Sequence, residues 1–509
     1  MNNILSKNQA YELDKKAINS YNIPARTLMG KAGKCIASYI DNNPRLTTIK
    51  TVAIVAGKGN NGGDGFAAGY YLSNLGYEIT IFSLYEENDL SKDSLFYYKK
   101  CIDQKTNVVA NHEPPSKESI YDLIIDSMLG IGFAGVINKY LLPWVRWINQ
   151  NPLILSCDIA TGINSDNGMI AGDAVRADYT LTLGYPKIGM CLEPGKTYSG
   201  LVTSADIGFP NIINKLNGIK WKSLNANLIS DIIKPLNRDT HKYNQGKVLI
   251  LAGSKGMTGA AYLSTIATLR AGAGLTKTCA PASINDIYEK KITEGMTISC
   301  EDNGLGYFSK SNYDQIVDQS DWADTILIGP GLGSNQDTVD LLTLLYRNIE
   351  KPMVIDADGF RPFYNDKSLF DCMRSNCIFT PHIGEFSNLI GVESEKLKED
   401  LIMNINSFSS MNSAVLITKY SPTLVSNNSI GYINTTGNPG LSTAGSGDVL
   451  SGIISAFLAQ GYNSLEASAI SVFIHGYAAD RVSKKISERG MIASDLLDEI
   501  AIILSEYDK

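Results

Sequence analysis

Two stretches of this chain set a carboxylate where backbone amides should gather. In "AGKGNNGGDGFAAGYYL" (56–72), glycines at 57, 59 and 62 have the spacing of a dinucleotide-binding turn, yet Asp64 follows them. Such a turn uses glycine so that N–H groups at a helix N-terminus approach phosphate closely, and a carboxylate there would repel it. The loop therefore handles something more than a plain dinucleotide phosphate. In "NTTGNPGLSTAGSGDVLSGIISAFLAQG" (434–461), Gly445 and Gly447 lead into a helix beginning near Asp448. Free N–H groups and the positive end of the helix dipole form an anion hole there. On its own such an aspartate only caps a helix. Beside an anion hole it is placed to take a proton from a hydroxyl that attacks a terminal phosphate. No G-x-x-x-x-G-K-[ST] is present, which argues against a P-loop kinase.

Three acids close apolar runs in the first half or follow them directly: Asp64, Asp126 after "DLII" and Asp158 after "LILSC". In a parallel sheet the ligand crevice lies beyond the carboxyl ends of the strands, so all three belong to one edge. Asn60, Asn61 and Thr161 stand close to them in sequence, and carboxylates grouped with amides and a hydroxyl suit a hard cation. A carboxyl of raised pKa at the same edge would serve as general acid or base. The rival reading is a nicotinamide-dependent dehydrogenase, with Glu86 or Glu87 on a ribose, but the fingerprint is weak and Asp64 opposes it.

The elements that position these groups follow a βαβ rhythm of short apolar runs and amphipathic segments. In the first half strands are predicted at 51–56, 78–83, 122–126, 153–158 and 178–183, with helices at 8–20, 26–42, 66–76 and 139–149. Through 212–240 the sequence turns polar and loses the rhythm, which places a domain boundary there. Strands resume at 247–252, 324–328, 352–356, 377–380 and 413–418, and the two longest helices of this half are predicted at 260–271 and 449–460. The halves are not copies of one another.

At 509 residues, with 44% hydrophobic and 19% charged positions and 45 glycines, the chain has the composition of a folded protein of more than one domain. A net charge of −7 and a pI near 5.3 argue against nucleic acid as a partner. Eight cysteines show no C-x-x-C spacing and several lie in apolar runs, as reduced core residues do. The N-terminus lacks a signal core and no long uncharged apolar run occurs, so a cytoplasmic protein with no membrane partner is expected.

The first half resembles the NAD(P)H-hydrate (NAD(P)HX) epimerase family, through "GNNGGDG", a strand-terminal aspartate and "DIATG", from about residue 4 to "SADIGFP". The resemblance implies a Rossmann-like three-layer sandwich over 1–215. It also implies that Asn60, Asn61, Gly62, Gly63 and Asp64, with Gly130, Ile131, Gly132, Phe133, Ala134, Gly135 and Val136, contact the hydrated nucleotide. By the same resemblance Asn61, Asp126 and Thr161 bind K⁺ and Asp158 is the acid–base residue at the hydrated ring. The family's "DIPSG" reads "DIATG" here, and its glutamate in "LMExAG" is Gly30.

The second half resembles NAD(P)H-hydrate dehydratases of the ribokinase-like α/β superfamily over most of 240–509, which implies a domain spanning 225–509. The resemblance rests on "GKVLILAGSKGMTGAAYL", "IGPGLG", "DADGF", "TPHIGE", "ITKYSPTLV" and "AGSGD". It implies that Ala260, Gly331, Gly333, His382 and Asp448 contact the hydrated dinucleotide. Lys419, Tyr420, Ser421, Pro422, Thr423, Leu424 and Gly447 would hold ADP or ATP. Asp448 would be the base that makes the C6 hydroxyl attack the terminal phosphate, with Mg²⁺ assisting, and phosphate would then leave to restore NAD(P)H. The implied whole is a bifunctional repair enzyme that acts on both C6 epimers and is expected to form a homo-oligomer. A vitamin kinase of the hydroxyethylthiazole or pyridoxal type, fused to a nucleotide-binding scaffold, is the alternative. "DADGFRP" stands where the family has "DADALN".

Overall fold

The computed structural model describes residues 3–508 apart from 111–112, 116–120, 212, 214–215, 217, 219 and 237–238. The chain divides into two compact units, Met1–Trp221 and Lys222–Lys509.

The first unit is built from helices α1 (Lys7–Tyr21), α2 (Ala25–Asn42), α3 (Asn60–Asn74), α4 (Lys92–Asp103) and α5 (Leu142–Ile148). Its strands are β1 (Thr51–Ala56), β2 (Glu78–Ser83), β3 (Asn107–Ala110), β4 (Leu123–Ser127), β5 (Ile154–Cys157), β6 (Tyr179–Leu183) and β7 (Leu201–Ala205). Among the described residues these strands form one sheet in the order β3-β2-β1-β4-β5-β6-β7, parallel throughout. Successive strand side chains point to opposite faces, and each face is covered. Val52 and Ile54 pack with Ile36 and Phe66 of α2 and α3, whereas Ala53 and Val55 pack with Trp144 and Ile148 of α5. Burial of side chains of this size stabilises by roughly 1.5–3 kcal/mol each. The order reverses between β1 and β4, and at such a switch point the crevice opens beyond the strand ends. The segments after β1 and β4 are those that carry Asn60–Asp64 and Gly130–Val136.

One expectation is overturned here. The helix predicted at 66–76 begins at Asn60, with Gly59 as its N-cap, so the glycine-rich motif is the helix's first turns and not a loop before it. Glycine's low intrinsic helix propensity hid that start, and tertiary packing overrides it. A Cβ on Gly62 would lie 1.8 Å from the carbonyl oxygen of Gly57, and one on Gly63 would strike Met29 and Ser94. Strands β3 and β7 and helix α4 were not predicted.

The second unit holds β8 (Trp221–Leu224, at the division), β9 (Lys247–Leu251), β10 (Leu275–Pro281), β11 (Met296–Cys300), β12 (Thr325–Ile328), β13 (Met353–Ile355), β14 (Cys377–Phe379), β15 (Val415–Thr418), β16 (Leu424–Ser426) and β17 (Gly431–Asn434). They join in the order β11-β10-β9-β12-β13-β14-β15-β16-β17-β8. The run from β11 to β15 is parallel, and β15-β16-β17 is antiparallel. Its switch point lies between β9 and β12. Helices Thr258–Arg270 and Ser446–Ala459 pack on each other over the sheet, with Gly452 where a Cβ would meet the Ser264 carbonyl at 2.5 Å. Of the two helices predicted to be longest in this half, only Ser446–Ala459 is one of the two; Ser464–Val482 exceeds it. Its rich alanine and serine content and burial on nearly every side leave it no amphipathic stripe to read. The polar stretch 212–240 likewise holds β8 and a short helix, Ala226–Ile232.

All eight cysteines are free thiols, and Cys157, Cys279, Cys300 and Cys377 sit buried in strands. Among the described residues no helix is long and apolar enough to cross a membrane.

Candidate functional sites

At the first switch point Asp126, next to last in β4, has no solvent exposure. Its carboxylate accepts hydrogen bonds from Thr161 Oγ1 (2.7 Å), Thr161 N (2.8 Å), Ser156 Oγ (3.0 Å) and Met128 N (3.2 Å). Burial pushes its pKa up, and these donors oppose the shift. Thr161 Oγ1 also accepts from Leu129 N at 3.0 Å, and Asn61 Nδ2 donates to the Leu129 carbonyl at 2.9 Å. That bond turns Asn61 Oδ1 the other way, and this buried oxygen has no hydrogen-bond partner. A buried acceptor left unpaired costs about 1–3 kcal/mol unless something occupies it. Oxygen donors and no nitrogen or sulfur suit a hard cation, so Asn61, Asp126 and Thr161 fit the K⁺ implied by the resemblance.

Asp158 follows β5 with φ +65, in the left-handed region that non-glycine residues occupy at a cost of about 1–3 kcal/mol. The strained turn is held by its own N–H to the Leu181 carbonyl (2.9 Å) and by Leu183 N–H to Oδ1 (2.8 Å). Lys187 Nζ also donates to Oδ1 and to Thr182 Oγ1. Lys187, only 3% exposed at its side chain, was missed in the sequence because a lone lysine in "GYPKIG" reads as a surface residue. Asp64 and Asp14 complete the group. Asp64 is held well above the usual carboxylate range by burial, then by Asp158 and Asp14, with Lys187 opposing. Asp14, on α1, is pushed up to about 6 by burial and by Asp158, again against Lys187.

The remaining expected residues form the rim. Gly130 lies against Asn61, since a Cβ there would stand 3.2 Å from that residue's Cβ. Ile131 and Phe133 pack on the core, and Val136 is 75% exposed. Of the glycines in the motif, Gly59 alone has open space around its Cβ position, whereas Gly57, Gly62, Gly63 and Gly65 are fixed by neighbouring protein atoms. Most of these glycines thus serve packing, a reading that differs from their expected role of admitting a ligand. Gly62→Ala is expected to destabilise the first unit by roughly 1–3 kcal/mol or more through overpacking. Gly59→Ala should melt as wild type. Thermal melts of both check this. Gly30, the departure from the epimerase pattern, also has a physical reason: Tyr97 Oη fills the space, 2.1 Å from where its Cβ would be.

In the second unit the expected residues meet at the strand ends. Asp448 lies in the first turn of Ser446–Ala459, after Gly445 at φ +88. Asp356 directly follows β13, is 1% exposed, and receives Lys419 Nζ at 2.7 Å and Ala357 N at 2.9 Å. A Cβ on Gly447 would be 3.4 Å from Lys419 Nζ and 3.8 Å from Asp356 Oδ2, so the ion pair lies directly under the glycine turn. Burial, Asp356 and Asp358 push Asp448 up to about 7, with Lys419 opposing. That is the value of a base working near neutrality. Glu385 is likewise raised to about 7, by burial first, while Lys419 lowers it. Asp356 and Glu385 were both missed: nothing in "DADGF" marks Asp356 as the partner of a distant lysine, and nothing in the spacing of "TPHIGE" sets Glu385 apart.

His382 caps the helix Ile383–Ile390, its Nδ1 accepting from Glu385 N at 3.2 Å while its own N–H donates to Glu385 Oε2 at 2.8 Å. Burial and Lys419 lower its pKa, so it is neutral with the proton on Nε2. It lines a cavity of about 450 Å³ with Asp358, Arg361, Tyr364 and Glu385. The departure "DADGFRP" places Arg361 in that wall, paired with Asp358 at 2.8 Å. Gly331 (φ +64) sits against Ala260, and Gly333 N donates to Asp358 Oδ2 at 2.8 Å. Tyr420, Ser421, Pro422 and Thr423 link β15 to β16. Leu424 is different, since its side chain is fully buried in β16, so it offers a ligand only its backbone.

His475 and Ser446, also unpredicted, share a hydrogen bond of 3.2 Å behind the glycine turn. Burial lowers the His475 pKa to about 4, so the ring is neutral there.

Comparisons with known proteins follow this division. The family described as YjeF-related protein N-terminus matches residues 25–189, and the family described as NAD(P)H-hydrate dehydratase matches 248–501. The bifunctional NAD(P)H-hydrate repair enzyme Nnr of Moorella thermoacetica is 32% identical, over 98% of this chain and 96% of its own. That of Dictyoglomus turgidum is 34% identical, over 99% and 98%. Among solved structures, a Streptococcus mutans protein (TM-score 0.51, 24% identity) covers 56% of this chain and 100% of its own. A ribokinase-like superfamily protein of Enterococcus faecalis (TM-score 0.50, 24% identity) covers 56% and 96%. These two show a ribokinase-like fold in the second unit.

Proposed function

Because the chain belongs to the family of bifunctional NAD(P)H-hydrate repair enzymes, we propose that its first unit interconverts the R and S epimers of NADH or NADPH hydrated at C6, and that its second dehydrates the S epimer at the expense of ADP or ATP. The observation that carries the second assignment is Asp448, raised to about 7 at the lip of a glycine turn with Lys419 beneath it.

Hydroxide is a poor leaving group, and phosphate is a good one. Asp448 accepts the proton of the C6 hydroxyl as its oxygen attacks the terminal phosphate. The Lys419 ammonium, oriented by Asp356, and the Gly447 amide in the first turn of the helix face the charge that develops. The ring nitrogen's electron pair then expels phosphate from C6, and loss of a proton from C5 restores the reduced ring. His382, neutral and donating through Nε2, and the backbone at Gly331 and Gly333 orient the substrate.

No group of three or more His, Cys, Asp or Glu fit to hold a metal occurs among the described residues. Mg²⁺ would enter on the nucleotide's phosphates and would supply charge neutralisation there. In the first unit K⁺ held by Asn61, Asp126 and Thr161 would supply positive charge beside the nucleotide. Asp158, held in place by Lys187, moves the proton of the C6 hydroxyl.

Thr161→Val keeps shape and removes the oxygen that bridges Asp126 and Leu129. It is expected to cost about 1–3 kcal/mol in the first unit's stability. It should also raise the K⁺ concentration needed for epimerisation, leaving dehydration of the S epimer untouched. A K⁺ titration of both activities checks this. The function as a whole is tested by incubating purified hydrate epimers with ADP or ATP and following the near-ultraviolet absorbance of the reduced nicotinamide. Recovery is expected. A stable phosphorylated product with no recovery would favour a kinase instead.

A further inference from the structure

Helix α1 has no assigned task, yet three of its side chains run along the mouth of the first site. Lys7 Nζ donates to the Gly132 carbonyl at 2.9 Å, and a Cβ on Gly132 would meet Tyr11 Oη at 2.7 Å. Lys7, Tyr11 and Asp14 are four and three residues apart, so one helix face carries all three. That face follows the loop Gly130–Val136 and ends at Asp14, among Asp64 of α3, Asp158 after β5 and Lys187 after β6. A capping box at Ser6 and Gln9, and a left-handed C-cap at Asn22, fix both ends of the helix.

The charges at this point do not balance in their ionised forms. Among the described residues Lys187 is the cation whose charge acts on all three carboxyls, and it is bound to Asp158. Like charges resist ionising together, so Asp14 and Asp64 keep their protons to higher pH than free carboxyls do. They do so differently. Asp64 is enclosed beneath the first turns of α3, whereas Asp14 keeps partial exposure and, pushed up to about 6, exchanges its proton in the neutral range. Tyr11, its neighbour on the same helix, is raised by burial and by Asp14, so it remains protonated.

We propose that Asp14 is a second acid–base group of the first unit's reaction, serving the ring nitrogen N1 while Asp158 serves the C6 hydroxyl. The proposal rests on the epimerase reading above. Asp158 accepts the hydroxyl proton, the C6–O bond becomes a carbonyl, and the C6–N1 bond breaks with its electron pair on N1. Asp14 gives its proton to N1. The freed aldehyde turns about its bond to C5, N1 attacks the opposite face of the carbonyl, and both protons return to where they began. No electron is gained or lost, and both carboxyls end as they started. The alternative, breaking C6–O, would leave a C6=N1 cation that needs only to lose a proton from C5 to become the reduced coenzyme. That route would do the second unit's work with no phosphoryl donor.

The full chain supplies its own control, since dehydration of the S epimer does not use the first unit. Asp14→Asn should slow conversion of purified R epimer about 100-fold, followed by chromatography of the epimers, with S-epimer dehydration at the wild-type rate. Asp14→Glu should keep a measurable part of the activity, with the acid limb of its pH profile displaced from wild type. Wild-type R-to-S rates in Asp14→Asn would overturn the proposal, as would an Asp14→Glu enzyme whose pH profile is unmoved. If Asp14→Asn proves unfolded in its first unit by thermal melting, the Asp14→Glu profile alone decides. Failure of wild type itself to interconvert the epimers would instead defeat the epimerase reading.

Discussion

Asp448→Asn is expected to remove nucleotide-dependent recovery of the reduced coenzyme, lowering it by about 100- to 10,000-fold, the usual contribution of a positioned base. The amide cannot take the hydroxyl proton, while the helix, the glycine turn and the Lys419–Asp356 pair stay in place. For wild type, the raised pKa sets the pH dependence. Below about 7 the carboxyl is increasingly protonated and cannot act as base, so kcat/KM should fall about tenfold per pH unit on the acid side. Stability runs the other way. The folded state holds this proton up to about 7 and the unfolded chain only to about 3.8, so the folded state loses stability as pH rises between those values. The loss is complete above 7 and amounts to at most about 4 kcal/mol. Asp448→Asn has no such loss, so its gain in Tm over wild type should be larger at pH 8 than at pH 4. An inactive variant that is also the more stable one at alkaline pH would separate a catalytic from a structural role.

Lys187→Met carries the second large effect. It strips a buried carboxylate of its cation, and breaking one partner of a buried pair costs about 3–5 kcal/mol because the other charge is left uncompensated. Asp158 would then face Asp14 and Asp64 with no counter-charge. The first unit's melting transition should fall at neutral pH and recover in part as acid protonates the group. Lys187→Met with Asp158→Asn should regain most of that stability, yet neither variant should epimerise. Dehydration of the S epimer should persist in both. Differential scanning calorimetry with the two activity assays checks this, and a single variant of wild-type stability would contradict the buried pair as described.

Much of this was legible in the sequence, for identifiable reasons. Central parallel strands are covered on both faces and read as continuous apolar runs, so β1, β4, β9 and β12 were found to within a residue or two. Strand β10, "LTKTCAP", interleaves lysine and threonine with apolar positions, and β3 and β7 are short edge strands, so none of them carries that signal. The chemistry divides in the same way. Asp126, Asp158 and Asp448 sit at strand ends or a helix tip and announce themselves. Lys187, Asp14 and Asp356 acquire their significance from partners distant in the chain: Asp356 meets Lys419 across 63 residues, and Lys187 meets Asp158 across 29. No local pattern predicts which lysine will be buried. In "ELDKKA" Asp14 reads as a solvated helix residue, and its environment exists only once β5 and β6 are in place.

The most direct test of a two-unit repair enzyme is the end-point reached on an equal mixture of R and S hydrate with excess nucleotide. Wild type should return all of the mixture to the reduced coenzyme. Asp158→Asn should stall once the S epimer is consumed, apart from slow spontaneous epimerisation, and Asp448→Asn should return essentially none. Full recovery by either variant at the wild-type rate would contradict the assignment of chemistry to those two carboxylates.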